Sequence, residues 1–212
     1  MKTPSQKLRE RWLTALLPIV PTLGWTRLAM WRAARKADLS KGEQALAAPN
    51  GVQDLLDQFF DNALSEMRDR LVAEDLSDRR THERVAYGLI TWLEALSPYR
   101  KAVRRAAGQG LAPWGAPGAV RRIWRIADAV WDAAGDTVTD YNRQTKRALL
   151  SAVIPSVILY WLDHDDPGKL QAFIDRRLQQ AMSVGRTGGR VVGPFLNLAE
   201  RVRSRRQPVQ DP

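Results

Sequence analysis

The sequence predicts an all-α protein, a bundle of about nine or ten helices that ends in a C-terminal amphipathic helix. Apolar residues recur with the 3.6-residue period of a helix in nearly every segment, and no window alternates convincingly with the two-residue period of a strand. Proline and glycine fall between the periodic segments, where they end helices and form loops. The chain has 212 residues, which suits one domain or one domain with a small attached one.

The clearest predicted helix covers residues 52–74, where Phe59 and Phe60 belong to a long apolar face. The other predicted helices cover residues 5–17, 24–36, 40–47, 80–96, 98–107, 120–134, 138–163 and 168–183, and a short helix follows a glycine-rich hinge at 185–193. Pro18 and Pro21 end the first helix, because proline lacks an amide donor and clashes with the preceding turn.

Local signals mark several helix ends. Ser40 is the expected N-cap of a short helix, with Glu43 three residues later as its capping-box partner. Gly135 suits a helix C-terminus, because glycine adopts the left-handed conformation found there at little steric cost. Pro155 has no amide hydrogen and should kink the helix predicted over 138–163.

Composition limits the chemistry that the chain can carry. It has no cysteine, which excludes disulfides and thiolate metal sites, and a net charge of +10, which favours nucleic acid, an anionic membrane or an acidic protein as partner. The only cluster of possible metal ligands in the sequence is at 163–166. We interpret it as an acidic turn, because its residues are neighbours in the chain and lack the spacing that brings metal ligands together. We therefore expect no metal and no cofactor.

No segment is predicted to cross a membrane or to act as a secretory signal. The longest apolar stretch, 148–162, spans about 15 residues, whereas a bilayer span needs about 20. The basic residues near the N-terminus precede an apolar run that prolines interrupt. We expect a soluble or peripheral protein.

The polar stretch 133–150 has three interpretations: a catalytic cluster, a helix cap with a salt-bridge network, or a docking surface. Thr137 and Asp140 have the spacing of a capping box, and Asp136 falls near the positive end of the helix dipole. Asp140 and Arg143 are spaced to share a helix face. No nucleophile or phosphate-binding motif occurs anywhere in the chain, so no catalytic residue is predicted.

The N-terminal helices have the order of a helix-turn-helix. Residues 25–56 resemble the DNA-binding half of TetR-type regulators, with a helix, a short turn, a recognition helix and a long fourth helix. The recognition position offers Lys41 and Gln44 but is otherwise small, apolar or acidic. A recognition helix that binds DNA needs several basic, amide or aromatic side chains, so nucleic acid is not the expected partner.

The C-terminal end has a basic amphipathic pattern. Apolar residues recur at helical spacing in 189–206, and arginines flank them. This pattern is typical of a helix that lies in a membrane interface, although a last helix packed on the core would show it too. The predicted membrane-contacting residues are Val191, Val192, Phe195, Leu196, Leu198, Val202, Arg201, Arg203, Arg205 and Arg206.

The segment 124–182 resembles the ubiquinone-biosynthesis accessory family of the Coq-nine type. The matching residues are Asp128, Trp131, Ala134, Gly135, Asp136, Thr139, Asp140, Tyr141, Asn142, Thr145, Lys146, Arg147, Tyr160, Trp161, Leu162, Asp163, Phe173, Arg176 and Arg177. The resemblance implies a TetR-like fold that binds an isoprenoid quinone or phospholipid, forms a homodimer and is not an enzyme. It also implies a bacterial cytoplasmic protein, peripheral to the inner membrane, that passes lipid to a ubiquinone-pathway hydroxylase.

The candidate sites follow from this resemblance and from the apolar pattern. The predicted lipid-binding residues are Phe59, Phe60, Met67, Ile90, Leu93, Trp124, Val153, Val157, Leu159 and Tyr160, all of which would also suit an ordinary core. The predicted docking residues are Asp136, Asp140, Tyr141, Asn142, Arg143, Gln144, Lys146 and Arg147. Arg143 and Gln144 replace an aromatic pair that the family associates with docking the hydroxylase, so partner contacts are expected to differ.

The expected organisation has three parts: a helix-turn-helix-like subdomain at 1–48, a lipid-binding and dimerisation domain at 49–184, and a hinge with the membrane-contacting helix and a polar tail at 185–212. The alternative function is a TetR-type transcriptional regulator that binds DNA through the N-terminal helices.

Overall fold

A computed structural model describes residues 2–108, 117–135 and 141–187, and all regular structure within these ranges is helical. The α-helices within these ranges are α1 (Pro4–Leu16), α2 (Val20–Leu23), α3 (Arg27–Lys36), α4 (Lys41–Ala47), α5 (Val52–Ala73), α6 (Thr81–Leu96), α7 (Arg100–Ala106), α8 (Pro117–Ala133), α9 (Tyr141–Asp163) and α10 (Pro167–Thr187). A 3₁₀ turn at Ser97–Tyr99 joins α6 to α7. The all-α prediction is confirmed for this part of the chain. The glycine-rich hinge predicted at 185–193 is wrong at its start, because residues 185–187 are helical and belong to α10. The rest of that hinge and the short helix predicted after it lie outside the described residues.

The N-terminal helices form a small bundle around α1, which packs against α3, α4 and α5. Trp12 of α1 donates its buried indole N–H to the carbonyl of Met30 in α3 at 3.0 Å. The capping box predicted at the start of α4 is present, with Ser40 and Glu43 bonded to each other's backbone amides. These contacts fix the helix-turn-helix arrangement on the rest of the molecule.

One helix was not predicted. The prolines Pro18 and Pro21 were expected only to end the first helix, but the four-residue α2 lies immediately after Pro18 and has Pro21 in its first turn. Proline is tolerated there because amides of the first turn have no partner within the helix. Trp25 follows α2 and donates its indole N–H to the carbonyl of Ala102 in α7 at 3.0 Å, which ties the two regions together.

The helices after the N-terminal bundle form a larger bundle, in which they pack on one another in a ring. α5 packs against α6 and α8, α8 against α9, α9 against α10, and α10 returns to α6. An aromatic cluster fills the junction with the N-terminal helices: Phe59 lies 5.4 Å from Trp25, 5.1 Å from Phe60 and 5.8 Å from Tyr99, between ring centroids. Such tilted and edge-on ring pairs stabilise a core beyond their buried area.

Helix α9 contains a longer apolar segment than the sequence analysis recognised. Its segment Arg143–Asp163 is long and apolar enough to cross a bilayer, although the prediction was that no segment would be. However, 56% of its most apolar window is buried inside the bundle, which is how a core helix of a soluble protein behaves. The helix continues through Pro155.

Candidate functional site

An apolar cavity of about 280 Å³ lies where α6, α8, α9 and α10 meet. Its lining is mostly aliphatic, with four side chains that can form hydrogen bonds. The lining residues are His82, Val85, Trp131, Thr145, Lys146, Leu149, Leu150, Leu178, Ala181 and Met182. Concave sites of this composition are typical of pockets for small apolar ligands, in which a few polar groups set the orientation.

Trp131 joins the two helices that form one wall of the cavity. Its indole N–H donates to the carbonyl of Lys146 at 3.2 Å, so α8 is bonded directly to α9 beside the cavity. The ammonium group of Lys146 lies 5.4 Å from the centroid of the Trp131 ring, within the range of a cation–π contact. The cavity edge therefore carries a positive charge held against an aromatic surface.

A cluster of four charged side chains also joins α8 to α9, and we call it the α8–α9 ion-pair cluster. It consists of Asp128 and Asp132 on α8 and of Arg143 and Arg147 on α9. Arg147 is 1% exposed, donates Nε to Asp128, and lies 2.7 Å from Asp132 through its terminal nitrogen. Burial alone would raise the pKa of Asp128, but hydrogen bonds from Arg147 and Arg143 outweigh it and hold that pKa below its ordinary value.

A second charged cluster joins α8 to α5. Arg122 is buried and donates Nε to Asp57 at 2.8 Å and a terminal N–H to Gln53 at 3.1 Å. Burial lowers the pKa of Arg122, whereas the neighbouring Asp57 carboxylate acts to raise it. Arg121 donates to the same carboxylate at 3.0 Å. Ion pairs as well as apolar packing therefore hold α8 against α5 and against α9.

Two arginines of α7 bind the C-terminal end of α9 and the acidic turn that follows it. Arg100 donates to the carbonyls of Trp161 and His164, and Arg104 donates to the carbonyl of Leu162. Carbonyls at a helix C-terminus have no partner within the helix and carry partial negative charge, so guanidinium donors satisfy them.

The same arginines pair with carboxylates of this turn, Arg100 with Asp165 and Arg104 with Asp163 at 2.9 Å. Asp166 accepts the amides of Gly168 and Lys169 at the start of α10, with the Lys169 amide as the main cause of its lowered pKa. The acidic groups of this turn therefore form contacts that position α7, α9 and α10.

None of the ten side chains predicted to bind lipid is among those that line this cavity. Phe59, Phe60, Met67, Leu93, Val153 and Val157 are buried in the core, while Ile90 and Trp124 are partly buried. Phe59 also borders a more polar cleft of about 510 Å³ between α1, α5 and α6. Tyr160 is stacked between His164 and Phe173, with centroids 4.0 and 4.1 Å away. Leu159 is 56% exposed and lies on the outer surface of α9. Helical periodicity identified buried positions but not which of them border empty space.

The predicted docking residues that the structure describes differ in exposure. Arg147 is buried and pairs with Asp128 of α8, so it holds α9 against α8. Arg143 is partly exposed and pairs with Asp128 and Asp132, while Gln144 is exposed. Lys146 lines the cavity. Asp136 and Asp140 lie outside the described residues, the side chains of Tyr141 and Asn142 are not described, and all the predicted membrane-contacting residues also lie outside.

The recognition position of the helix-turn-helix has its polar groups engaged in the fold. Gln44 donates its amide to the carbonyl of Leu39 at 2.8 Å. Glu43 closes the capping box and lies 3.5 Å from Arg11. On the outer face of α4, Lys41 is exposed together with the apolar Leu46. This surface has few groups able to contact base edges.

Comparison with known proteins identifies relatives of this chain. Residues 116–185, which include most of the cavity wall, match the family model COQ9. The chain is 27% identical to the mitochondrial ubiquinone biosynthesis protein COQ9 of Rattus norvegicus and to that of Homo sapiens, over 88% of its own length. It spans 62% and 61% of those proteins, about three fifths of their length.

Two solved structures of similar fold are transcriptional regulators. A TetR transcriptional regulator from Nitrosomonas europaea aligns with a TM-score of 0.62 at 22% identity, over 82% of this chain and 97% of that one. A TetR-family regulator from Streptomyces coelicolor aligns with a TM-score of 0.52 at 14% identity, over 100% of this chain and 94% of that one. At these identities the likeness concerns the fold. Both resemblances drawn from the sequence are confirmed: the chain is similar to the COQ9 proteins, its segment 116–185 matches the COQ9 family model, and it has a TetR-like fold.

Proposed function

We propose that this chain is a non-catalytic accessory protein of ubiquinone biosynthesis that binds an isoprenoid quinone intermediate and presents it to a hydroxylase of the pathway at the membrane. One observation carries the proposal: the apolar cavity is built mainly from the segment that matches the COQ9 family model. Of its ten lining residues, only His82 and Val85 lie outside residues 116–185.

The chemistry of the cavity suits one part of such a ligand. Apolar burial stabilises binding by about 25 cal/mol per Å², so aliphatic walls favour a hydrocarbon chain. His82, Thr145 and Lys146 can donate hydrogen bonds to the oxygen atoms of a quinone or phenol ring at the edge. A volume of about 280 Å³ lies just below the usual range for ligand sites, about 300–1,000 Å³. The cavity therefore receives a ring and the start of its chain.

Mass spectrometry of lipids retained through purification tests this proposal. Ala181→Trp places a large ring in the cavity wall and should reduce the bound lipid to a small fraction of the wild-type amount. The control is Ala172→Trp, which adds the same ring to the exposed face of the same helix, α10. If both variants, folded by circular dichroism, retain as much lipid as the wild-type protein, the ligand does not occupy this cavity.

Membrane delivery is the second part of the proposal. The basic amphipathic segment at 189–206 would bring the cavity to an anionic leaflet, where each basic residue contributes about 1 kcal/mol. Removing residues 186–212 should therefore weaken binding to phosphatidylglycerol vesicles while the core stays folded. Unchanged vesicle binding by this shortened chain would contradict delivery through the tail.

A TetR-type regulator is the alternative, because the structures of similar fold are such regulators. The engaged polar groups of α4 favour the lipid-binding proposal over it. A sequence-specific, salt-sensitive shift of duplex DNA would support the regulator instead.

A further inference from the structure

The outer face of α3 combines exposed apolar side chains with positive charge. Leu28 is 50% exposed and Trp31 is 53% exposed, although both are large and apolar. The other exposed residues of this helix are Arg27, Arg32, Arg35 and Lys36. We call these six residues the α3 face. It contains no carboxylate, and the nearest in sequence, Asp38, follows the end of the helix.

The arrangement of these residues on the helix is ordered. At 3.6 residues per turn, Trp31, Arg35 and Leu28 fall along the middle of the face, with Arg27 at one edge and Lys36 at the other. The guanidinium of Arg35 lies 5.0 Å from the centroid of the Trp31 ring, over its surface. The centre is therefore amphipathic and the margins are cationic.

The opposite side of α3 is firmly packed. Ala29, Ala33 and Ala34 are buried against the bundle, and the carbonyl of Met30 accepts the indole N–H of Trp12. Thr26 caps the helix, with its hydroxyl oxygen accepting the amide of Ala29 at 3.2 Å. The exposure of Leu28 and Trp31 is thus a fixed property of the folded protein.

We propose that the α3 face binds the surface of an anionic phospholipid membrane. Tryptophan is favoured at the membrane interface because its ring is apolar and its N–H can reach water or headgroups. Arginine and lysine at the margins complement phospholipid phosphates, and the aliphatic Leu28 enters the acyl boundary. This contact belongs to the N-terminal bundle, and it depends neither on the tail nor on a ligand in the cavity.

Duplex DNA is the other anionic surface that a helix-turn-helix could meet. Phosphates would pair with the arginines, but DNA offers no apolar layer to cover Leu28 and Trp31. A membrane covers both the charges and the apolar groups of the α3 face. The combination therefore favours a bilayer.

The chain has no cysteine, so single cysteines can be introduced for labelling. The test uses the full chain with Leu28→Cys carrying a polarity-sensitive nitrobenzoxadiazole dye, mixed with vesicles of equimolar phosphatidylcholine and phosphatidylglycerol. The matched control is Val72→Cys on α5, which is 88% exposed and distant from α3 in sequence. Emission from position 28 should rise severalfold and shift to the blue, whereas emission from position 72 should stay constant.

A charge variant gives the second readout. Arg32→Gln with Arg35→Gln should weaken vesicle binding by about thirtyfold, because each basic residue near the leaflet contributes about 1 kcal/mol. Arg68→Gln with Lys101→Gln removes the same charge from exposed positions on α5 and α7 and should leave binding near the wild-type value. The proposal is overturned if position 28 reports no insertion, if its emission responds to duplex DNA instead of vesicles, or if both double variants lose equal affinity.

Discussion

Replacing Asp128 with asparagine tests the α8–α9 ion-pair cluster. Among the described residues, Asp128 and Asp132 pair with the buried Arg147, and the change removes the first of these carboxylates while Asp132 stays at 2.7 Å. Breaking a buried pair outright costs about 3–5 kcal/mol, and a single hydrogen bond to a charged group contributes about 1.5–3 kcal/mol. Because Asp132 remains, we expect Asp128→Asn to lower the free energy of unfolding by about 2–3 kcal/mol.

Urea unfolding followed by circular dichroism at neutral pH measures this loss. The matched control is Asp163→Asn, which breaks the exposed pair with Arg104 on the surface. Exposed pairs contribute about 0–1 kcal/mol, so the control should change stability little. If both variants lose the same amount, burial of Arg147 does not strengthen the cluster and the reasoning is refuted.

The loss of stability caused by Asp128→Asn should depend on pH. The pKa of Asp128 is lower in the folded protein than in the unfolded chain, so the unfolded chain binds more protons in acid. The stabilisation is complete above the unfolded pKa, about 3.9, and is lost as the pH falls through the folded value. The stability difference between the wild-type protein and Asp128→Asn should be constant near neutral pH and should shrink in acid. A difference that grows in acid would have the wrong sign.

Two further variants test helix packing by urea unfolding. A Cβ atom at Gly88 of α6 would lie 3.3 Å from a methyl group of Val130 in α8, so Gly88→Val should destabilise the fold by about 1–3 kcal/mol. Gly42, with no atom near its Cβ position, is the control for the added side chain. Trp25→Phe leaves the carbonyl of Ala102 without its indole donor and should cost about 1–2 kcal/mol. An unchanged midpoint would show that water replaces this bond.

The sequence predicted most helices closely because helical periodicity reports directly which side chains face the core. The helix expected over 52–74 is α5 (Val52–Ala73), and the one expected over 80–96 is α6 (Thr81–Leu96). The short α2 escaped prediction because it is a single turn, too short to show a period.

The cavity could not be predicted in the same way. Val85, Leu149 and Met182 have the same apolar character and helical spacing as Phe59 and Val157. Spacing along one helix shows that a side chain points inward, but the gap depends on the atoms that other helices bring opposite it. The residues that line the cavity therefore follow only from the relative positions of α6, α8, α9 and α10.

The charged contact between α8 and α9 did have a signal in the sequence. Asp128 and Asp132 are four residues apart, as are Arg143 and Arg147, so each pair lies on one helix face and the charges are complementary. Matched spacing of this kind predicts that two adjacent helices in the chain pack through those faces. Of these four residues, Arg143 and Arg147 were predicted instead as docking residues, because the family resemblance implied that role.

The position of this cluster connects stability to the proposed function. Thr145 and Lys146 line the cavity, while the next residue, Arg147, points to α8 and holds it through Asp128. One turn of α9 therefore sets both the ion pairs and part of the cavity wall. If the wall depends on the cluster, Asp128→Asn should reduce the retained lipid as well as the free energy of unfolding. A variant that is less stable but retains the wild-type amount of lipid would show that Trp131 and the apolar contacts suffice to hold the wall.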